Sequence, residues 1–190
     1  MKTITVVMVA LLILFSGLAV AHEGHEHASN IPTQVKWGLS GAQEIMNIHP
    51  LFVHFPIALL LAATFFYFAG LLMRKENFFL IGKWLIILGS ISAALAVWTG
   101  LRAEDTVVHG GDTHQILMAH QYLGVAVLTL SATLSLWLII IKSNLPAKGR
   151  ILFYSSLLIL SVLIVLQADL GGRMVFLHGV GVGRKSVERA

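Results

Sequence analysis

Residues 49–73 read HPLFVHFPIALLLAATFFYFAGLLM, an apolar stretch without Asp, Glu, Lys or Arg. A helix of this length rises about 37 Å, enough to cross the hydrocarbon core of a bilayer. Three further apolar stretches follow, at residues 78–101, 115–141 and 151–170. Lipid offers no partner for open backbone groups, and the stretches lack the alternation of barrel strands. The sequence therefore predicts an all-α membrane protein, a bundle of four transmembrane helices.

The composition agrees with a single membrane domain. Of the 190 residues, 57% are hydrophobic and only 12% are charged, whereas a water-soluble domain carries about 25% charged residues. The formal net charge of +4 is spread over loops and tail, which indicates membrane-flank charge and no nucleic-acid surface. Because the chain has no cysteine, disulfides, thiolate metal sites, iron–sulfur clusters and covalently attached c-type haem are excluded.

The first 21 residues are typical of an export signal. Lys2 precedes an apolar run that ends in Ala-Val-Ala, which predicts cleavage after Ala21; an uncleaved first helix is the alternative. The predicted divisions are a signal peptide at 1–21, a His-rich tether at 22–41, the transmembrane domain at 42–183 and a tail at 184–190. A cleaved signal places the multi-pass chain in the bacterial inner membrane with both termini periplasmic, and two short basic turns then face the cytoplasm.

Glycines and prolines give three local predictions. Small residues recur on the second helix and predict a close helix–helix seam: Gly89, Ala93, Ala96 and Gly100. Pro56 disfavours helix at the residue before it, so a kink or a short re-entrant turn is expected at the opening of the first helix, with a simple helix start as the alternative. Gly171 and Gly172 predict the end of the fourth helix.

The placement of the nine histidines is the main functional signal. They gather toward one end of the predicted bundle: His49 and His54, His109 and His114, His120, His178, and the tether residues His22, His25 and His27. Ionisable residues in spanning segments are rare and usually functional. No two histidines of the spanning helices are four apart, so we expect ligands from different helices. The deepest pair, His54 and His120, is predicted to bind haem iron axially, with His49 and His178 as a second site or as supporting residues.

Three charged residues near the same end extend this prediction. Asp169 is costly near the membrane edge and needs a partner, for which Arg102, Arg173 or a histidine N–H are candidates. A carboxylate bonded to a ligand histidine would orient its ring. The two arginines could receive haem propionates, since guanidinium binds carboxylate bidentately. An ordinary interfacial charge pair is the alternative.

The motifs HPLFVHFPIALL and DLGGRMVFLHGVGV resemble a bacterial membrane-protein family catalogued as domain of unknown function 2231. The resemblance spans about residues 49–182 and involves these motif positions: His49, Pro50, His54, Pro56, Asp169, Gly171, Gly172, His178 and Gly179. It implies a four-helix membrane fold and brings no settled activity. The tether lies outside it.

These observations predict a periplasm-facing b-type haem protein that transfers electrons with a periplasmic partner and is more likely not an enzyme. A copper- or zinc-handling membrane protein is the alternative. Its ligands would come from the bundle and from the tether: His49, His54, His114, His120, His178 and Asp169, with His22, His25 and His27. A third possibility is a structural subunit of a homo-oligomer or a larger membrane complex.

Overall fold

A computed structural model describes residues 48–104, 111–141 and 147–181. These residues form four helices and no strand: α1 His49–Met73, α2 Glu76–Ala103, α3 Gly111–Ile140 and α4 Ala147–His178. Each helix is long and apolar enough to cross a membrane. The predicted all-α fold with four membrane-spanning helices is confirmed. The predicted signal peptide, tether and tail lie outside the described residues.

Helix α1 begins and ends where the sequence predicts. Pro50 occupies the first turn, where its missing N–H costs nothing, and the chain turns at Arg74 in a left-handed conformation with φ 53°. Pro56 lies inside α1, buried, and the helix is continuous through it, so the alternative of a re-entrant turn is wrong. A proline here leaves only the carbonyl of Phe52 without its helical donor, which a long packed helix tolerates.

The end of α4 corrects the sequence prediction. The helix does not stop at Gly171 and Gly172 but continues to His178, and the left-handed residue that ends it is Gly179 with φ 62°. The Gly179 N–H donates to the carbonyl of Val175 at 3.1 Å. Gly171 instead lies against a side chain of α3, described below, so its missing Cβ serves helix packing and not a turn.

Glycines on α2 bring α1 and α2 into close contact, as the predicted seam requires. A Cβ at Gly89 would lie 2.6 Å from Cδ2 of Leu60, and one at Gly82 would lie 2.7 Å from Cδ2 of Tyr67. Ala93 on the same seam is also buried. The helices pack in cyclic order, α1 on α2, α2 on α3, α3 on α4 and α4 on α1.

The buried core fills the middle of the bundle and draws on all four helices: Leu60, Ala63, Tyr67, Ile86, Val127, Leu134, Leu138, Phe153, Leu157, Leu160 and Ile164. Hydroxyls among these helices bond to neighbouring chain groups. Ser135 donates to the carbonyl of Ile86 at 3.3 Å, and Ser161 donates to Oγ1 of Thr64 at 3.1 Å. These bonds tie adjacent helices together and satisfy the hydroxyls within the bundle.

Charged side chains mark the two limits of the apolar zone. Lys83 and Arg102 on α2 are about 28 Å apart along the helix axis, and so are Arg150 and Asp169 on α4. That span matches the thickness of a bilayer core. We call the end that carries Arg102 and Asp169 the histidine end. The opposite end, with Arg74, Lys75 and Arg150, is the basic end.

Candidate histidine site at one end of the bundle

His49 begins α1, and its ring lies against α2. The Nδ1 atom donates to the carbonyl of Ala96 at 3.0 Å, with Oγ1 of Thr99 at 3.3 Å. A Cβ at Gly100 would lie only 3.0 Å from Cε1 of the ring. Small residues on this face of α2 therefore make room for the imidazole. Because a carbonyl only accepts, Nδ1 carries the proton and Nε2 keeps its lone pair.

His120 lies within α3, and its ring lies against α4 in a closely similar arrangement. Its Nδ1 donates to the carbonyl of Gln167 at 3.0 Å. A Cβ at Gly171 would lie 3.3 Å from Cε1 of the ring. Here too the bond to a carbonyl fixes the proton on Nδ1 and leaves the lone pair on Nε2.

The two rings face each other within the bundle. Their centroids are 6.2 Å apart and their planes are perpendicular, at 89°. α1 and α3 supply the imidazoles, while α2 and α4 supply the carbonyls that hold them. A backbone carbonyl bonded to Nδ1 is a usual way of orienting a histidine that binds a metal through Nε2. All four helices therefore contribute to a pair of oriented imidazoles, His49 and His120.

The distance between the two ring centroids, 6.2 Å, has the length expected for two imidazoles that share one ligand. A metal–imidazole bond is about 2 Å long, so two rings on opposite sides of one ion have centroids roughly 6 Å apart. Along the helices the pair lies within about 10 Å of the level of Arg102. It is therefore inside the apolar zone but near its boundary at the histidine end.

His54 lies elsewhere. Its ring is exposed on α1, and Nδ1 donates to the carbonyl of Pro50, one turn back on the same helix, at 2.8 Å. A step of five residues turns a helix by about 140° from His49, so the two histidines of α1 leave the helix on different faces. The structure brings His49, and not His54, to His120. The predicted axial pair of His54 and His120 remains a prediction, and packing favours His49 in the first position.

Two other histidines lie at the ends of α3 and α4. His178, the last residue of α4, shares a hydrogen bond of 3.1 Å between its Nδ1 and Oγ1 of Thr113. This bond ties the two helix ends together beyond the ring pair. His114 is exposed on the first turn of α3. Both therefore share the histidine end with the ring pair.

The predicted charged partners lie on the surface of the same end. Arg102 is exposed, and its guanidinium carbon lies 4.7 Å from the centroid of the Trp98 ring. Asp169 and Arg173 are exposed on α4. Gln121, next to His120, donates to Oε2 of Glu104 at 3.0 Å. The predicted pairing of Asp169 with an arginine or a histidine is not among these contacts.

Three residues of the predicted metal site, His22, His25 and His27, lie outside the described residues, as does His109 of the loop before α3. Within the described residues, no group of three or more His, Asp or Glu side chains is arranged to hold a metal ion. The donor set that the described helices bring together therefore consists of the two imidazoles.

The sequence model of one protein family, described as predicted membrane protein (DUF2231), matches residues 45–184. That range includes all four helices and both rings of the pair. No curated protein and no solved structure matches the chain.

Proposed function

The chain belongs to the DUF2231 family of predicted membrane proteins, and we propose that within that family it is a membrane-embedded redox protein that binds b-type haem at its histidine end. His49 and His120 would be the axial ligands. The observation that carries the proposal is the perpendicular pair of rings, 6.2 Å apart, each held through Nδ1 by a carbonyl of another helix.

The donor count supports haem over a bare metal ion. A porphyrin supplies four nitrogen donors of its own, so two imidazoles from facing helices complete the coordination of its iron. A zinc ion needs three or four donors from the protein. Two oriented imidazoles, His49 and His120, match the number of protein donors that haem iron takes.

Arginines near the pair have the chemistry to hold the propionates. Arg102 follows Gly100 by two residues, and Arg173 follows Gly171 by two residues, so both lie at the level of the rings or just beyond it. Guanidinium groups bind carboxylates through two parallel hydrogen bonds. A step of two residues turns a helix by about 200°, so both arginines leave their helices on the face opposite the rings, and Arg102 lies over Trp98. They would reach propionates only at the outer edge of the cofactor.

The chemistry expected from such a site is electron transfer. If His49 and His120 both hold the iron, no position is left for a substrate, so the chemistry that haem would supply here is single-electron exchange with a partner. The pair lies near one boundary of the apolar zone, which suits a partner docking at the histidine end and not passage of electrons through the full depth of the bundle.

The sequence supports a more specific proposal for the location. A cleaved signal peptide at residues 1–21 would put the histidine end on the periplasmic side of the inner membrane. Arg74, Lys75 and Arg150 at the basic end would then face the cytoplasm, as the distribution of positive charge in membrane proteins favours.

Copper or zinc handling is the second candidate, and the tether favours it. His22, His25 and His27 lie within six residues of one another, and short His-rich tracts bind such ions. They would capture an ion that His49 and His120 then share. Since the tether supplies the missing donors in this scheme, its removal should abolish metal capture but leave haem binding unchanged.

The deciding measurement is the absorption spectrum of detergent-purified protein from haem-replete cells, oxidised and after reduction by dithionite. We expect the sharp α-band of low-spin haem, lost in both His49→Ala and His120→Ala and retained in His54→Ala, the matched control on α1. Loss of the band in His54→Ala, with retention in His49→Ala, would restore the pair of His54 and His120. A colourless wild-type protein would contradict the haem proposal, and metal analysis of that sample would test copper and zinc.

A further inference from the structure

A groove opens between α1 and α4 at the basic end, far from the histidine pair. Its volume is about 350 Å³, and it is lined by side chains of both helices: Phe68, Leu71, Arg150, Ile151, Tyr154, Ser155 and Leu158. Nothing in the proposed redox function uses it.

The floor of the groove is a fixed aromatic contact between the two helices. The ring of Tyr154 lies against that of Phe68, with centroids 5.2 Å apart, and its hydroxyl donates to the carbonyl of Tyr67 at 3.5 Å. The groove therefore lies where α4 packs on α1, and it is open to the surroundings of the bundle.

The walls of the groove are apolar and open to the membrane. Leu71, Ile151 and Leu158 are each about half exposed or more, at 47%, 74% and 53%. Leu158 lies about 12 Å deeper along α4 than Arg150, so the surface it leaves open meets acyl chains and not water. Leu71 and Ile151 lie at the level of Arg150, where the apolar zone ends. An acyl chain lying along Leu71 and Leu158 would cover them.

The mouth of the groove is positively charged. Arg150 is exposed in the first turn of α4, at the level where the apolar zone ends. Arg74 and Lys75 lie at the same end of the bundle, just beyond α1. Ser155 adds a hydroxyl one turn deeper than Arg150. A guanidinium at the phosphate level above an apolar channel complements the two parts of one molecule, an anionic headgroup and its acyl chain.

We propose that this groove is a binding site for an anionic phospholipid, with the phosphate on Arg150 and one acyl chain between Leu71 and Leu158. Basic pockets between membrane helices are known to bind such headgroups. We assign the site to a lipid and not to free phosphate, because most of the residues that line the groove are apolar. It is independent of whatever the histidine end binds.

The test is native mass spectrometry of the purified full chain with phosphatidylglycerol or phosphatidylcholine added at equal concentration. We expect wild type to retain the anionic lipid preferentially. Arg150→Gln should bind it at least about ten-fold more weakly, the change expected when a hydrogen bond to a charged group is lost. Arg74→Gln, which removes the same charge at the same end but outside the groove, should bind no more than about five-fold more weakly, the change expected for one basic side chain near an anionic surface. Ser155→Trp, which fills the groove and keeps Arg150, should also reduce binding.

Several results would overturn the proposal. Equal losses in Arg150→Gln and Arg74→Gln would mean that the basic end attracts anionic lipid without a specific site. Unchanged binding in Ser155→Trp would remove the acyl channel, and displacement of the lipid by millimolar inorganic phosphate would mean that the headgroup alone is recognised. If wild type is a dimer in the mass spectrum and Ser155→Trp is a monomer, the groove belongs to a second copy of the chain.

Discussion

Two adjacent glycines of α4 offer a test of the histidine site that needs no cofactor. A Cβ at Gly171 would lie 3.3 Å from Cε1 of His120, whereas a Cβ at Gly172 would meet nothing closer than Cδ2 of Phe176 at 4.0 Å. Both glycines are helical. Replacing either by alanine gains the same helix propensity, so the two variants differ only in what the new methyl group contacts.

The expected magnitudes follow from these distances. Glycine to alanine in a helix interior gains about 1 kcal/mol of helix propensity. Gly172→Ala should therefore be more stable than wild type by up to about that amount. Gly171→Ala must push the ring of His120 by a few tenths of an ångström, and overpacking of this kind costs about 1–3 kcal/mol. We expect Gly171→Ala to be less stable than Gly172→Ala by about 1–3 kcal/mol.

The assay is equilibrium unfolding of the purified protein in mixed detergent, with the helix content monitored by circular dichroism. Both substitutions are also made in a His120→Ala background. If the ring causes the cost at Gly171, the gap between Gly171→Ala and Gly172→Ala closes there, as a double-mutant cycle measures. Equal stability of the two variants in the wild-type background would refute the packing of His120 on Gly171. A gap that persists without the imidazole would assign the cost to another contact.

Two further predictions concern the core and the tether. Phe153→Ala should lower the free energy of unfolding by about 3–5 kcal/mol, because the side chain is 0% exposed and its ring centroid lies 4.8 Å from that of Tyr67. Phe176→Ala, at a site that is 86% exposed, should change the free energy of unfolding by less than about 0.5 kcal/mol. Similar values for the two variants would contradict the burial pattern. Deletion of residues 22–27 should lower the amount of copper or zinc bound to the purified protein, as measured by elemental analysis. The same deletion should leave the haem absorption spectrum unchanged. Loss of that spectrum would place cofactor ligands in the tether.

The helices could be predicted well because lipid imposes one structure on a long apolar stretch. α1 begins and ends at the predicted residues, His49 and Met73. The fourth helix could not be delimited, because a glycine is compatible with both a left-handed stop and a close contact. The structure distinguishes the two cases. At Gly171 a Cβ would crowd the ring of His120 on the neighbouring helix, whereas Gly179 adopts a positive φ that favours glycine.

The sequence pointed to the histidine end of the bundle and to His54 as the partner of His120; that pair remains a prediction, whereas the structure places His49 beside His120. Depth along the helix pointed to His54, which is farther from the start of α1 than His49. Rotation about the axis decides instead, since five residues separate the two by about 140°. The small residues Ala96 and Gly100 carried the missing signal, because they make room for a ring on the face of α2 that His49 meets. The sequence does not say which helix packs against α1, so from the sequence alone these small residues indicate only a close helix–helix contact.

The distance between the two proposed sites makes each a control for the other. The ring of His49 lies at the start of α1, and the groove lies beside the last two turns of that helix, roughly 30 Å away along the axis. Effects of substitutions this far apart add, unless the fold itself is lost. Arg150→Gln should therefore leave the absorption spectrum unchanged, and His49→Ala should leave the lipid preference unchanged. If one of these variants lost both properties, the result would report a disturbed bundle, and neither site could be assigned from it; if each lost only its own, the two ends of the bundle would carry separate functions.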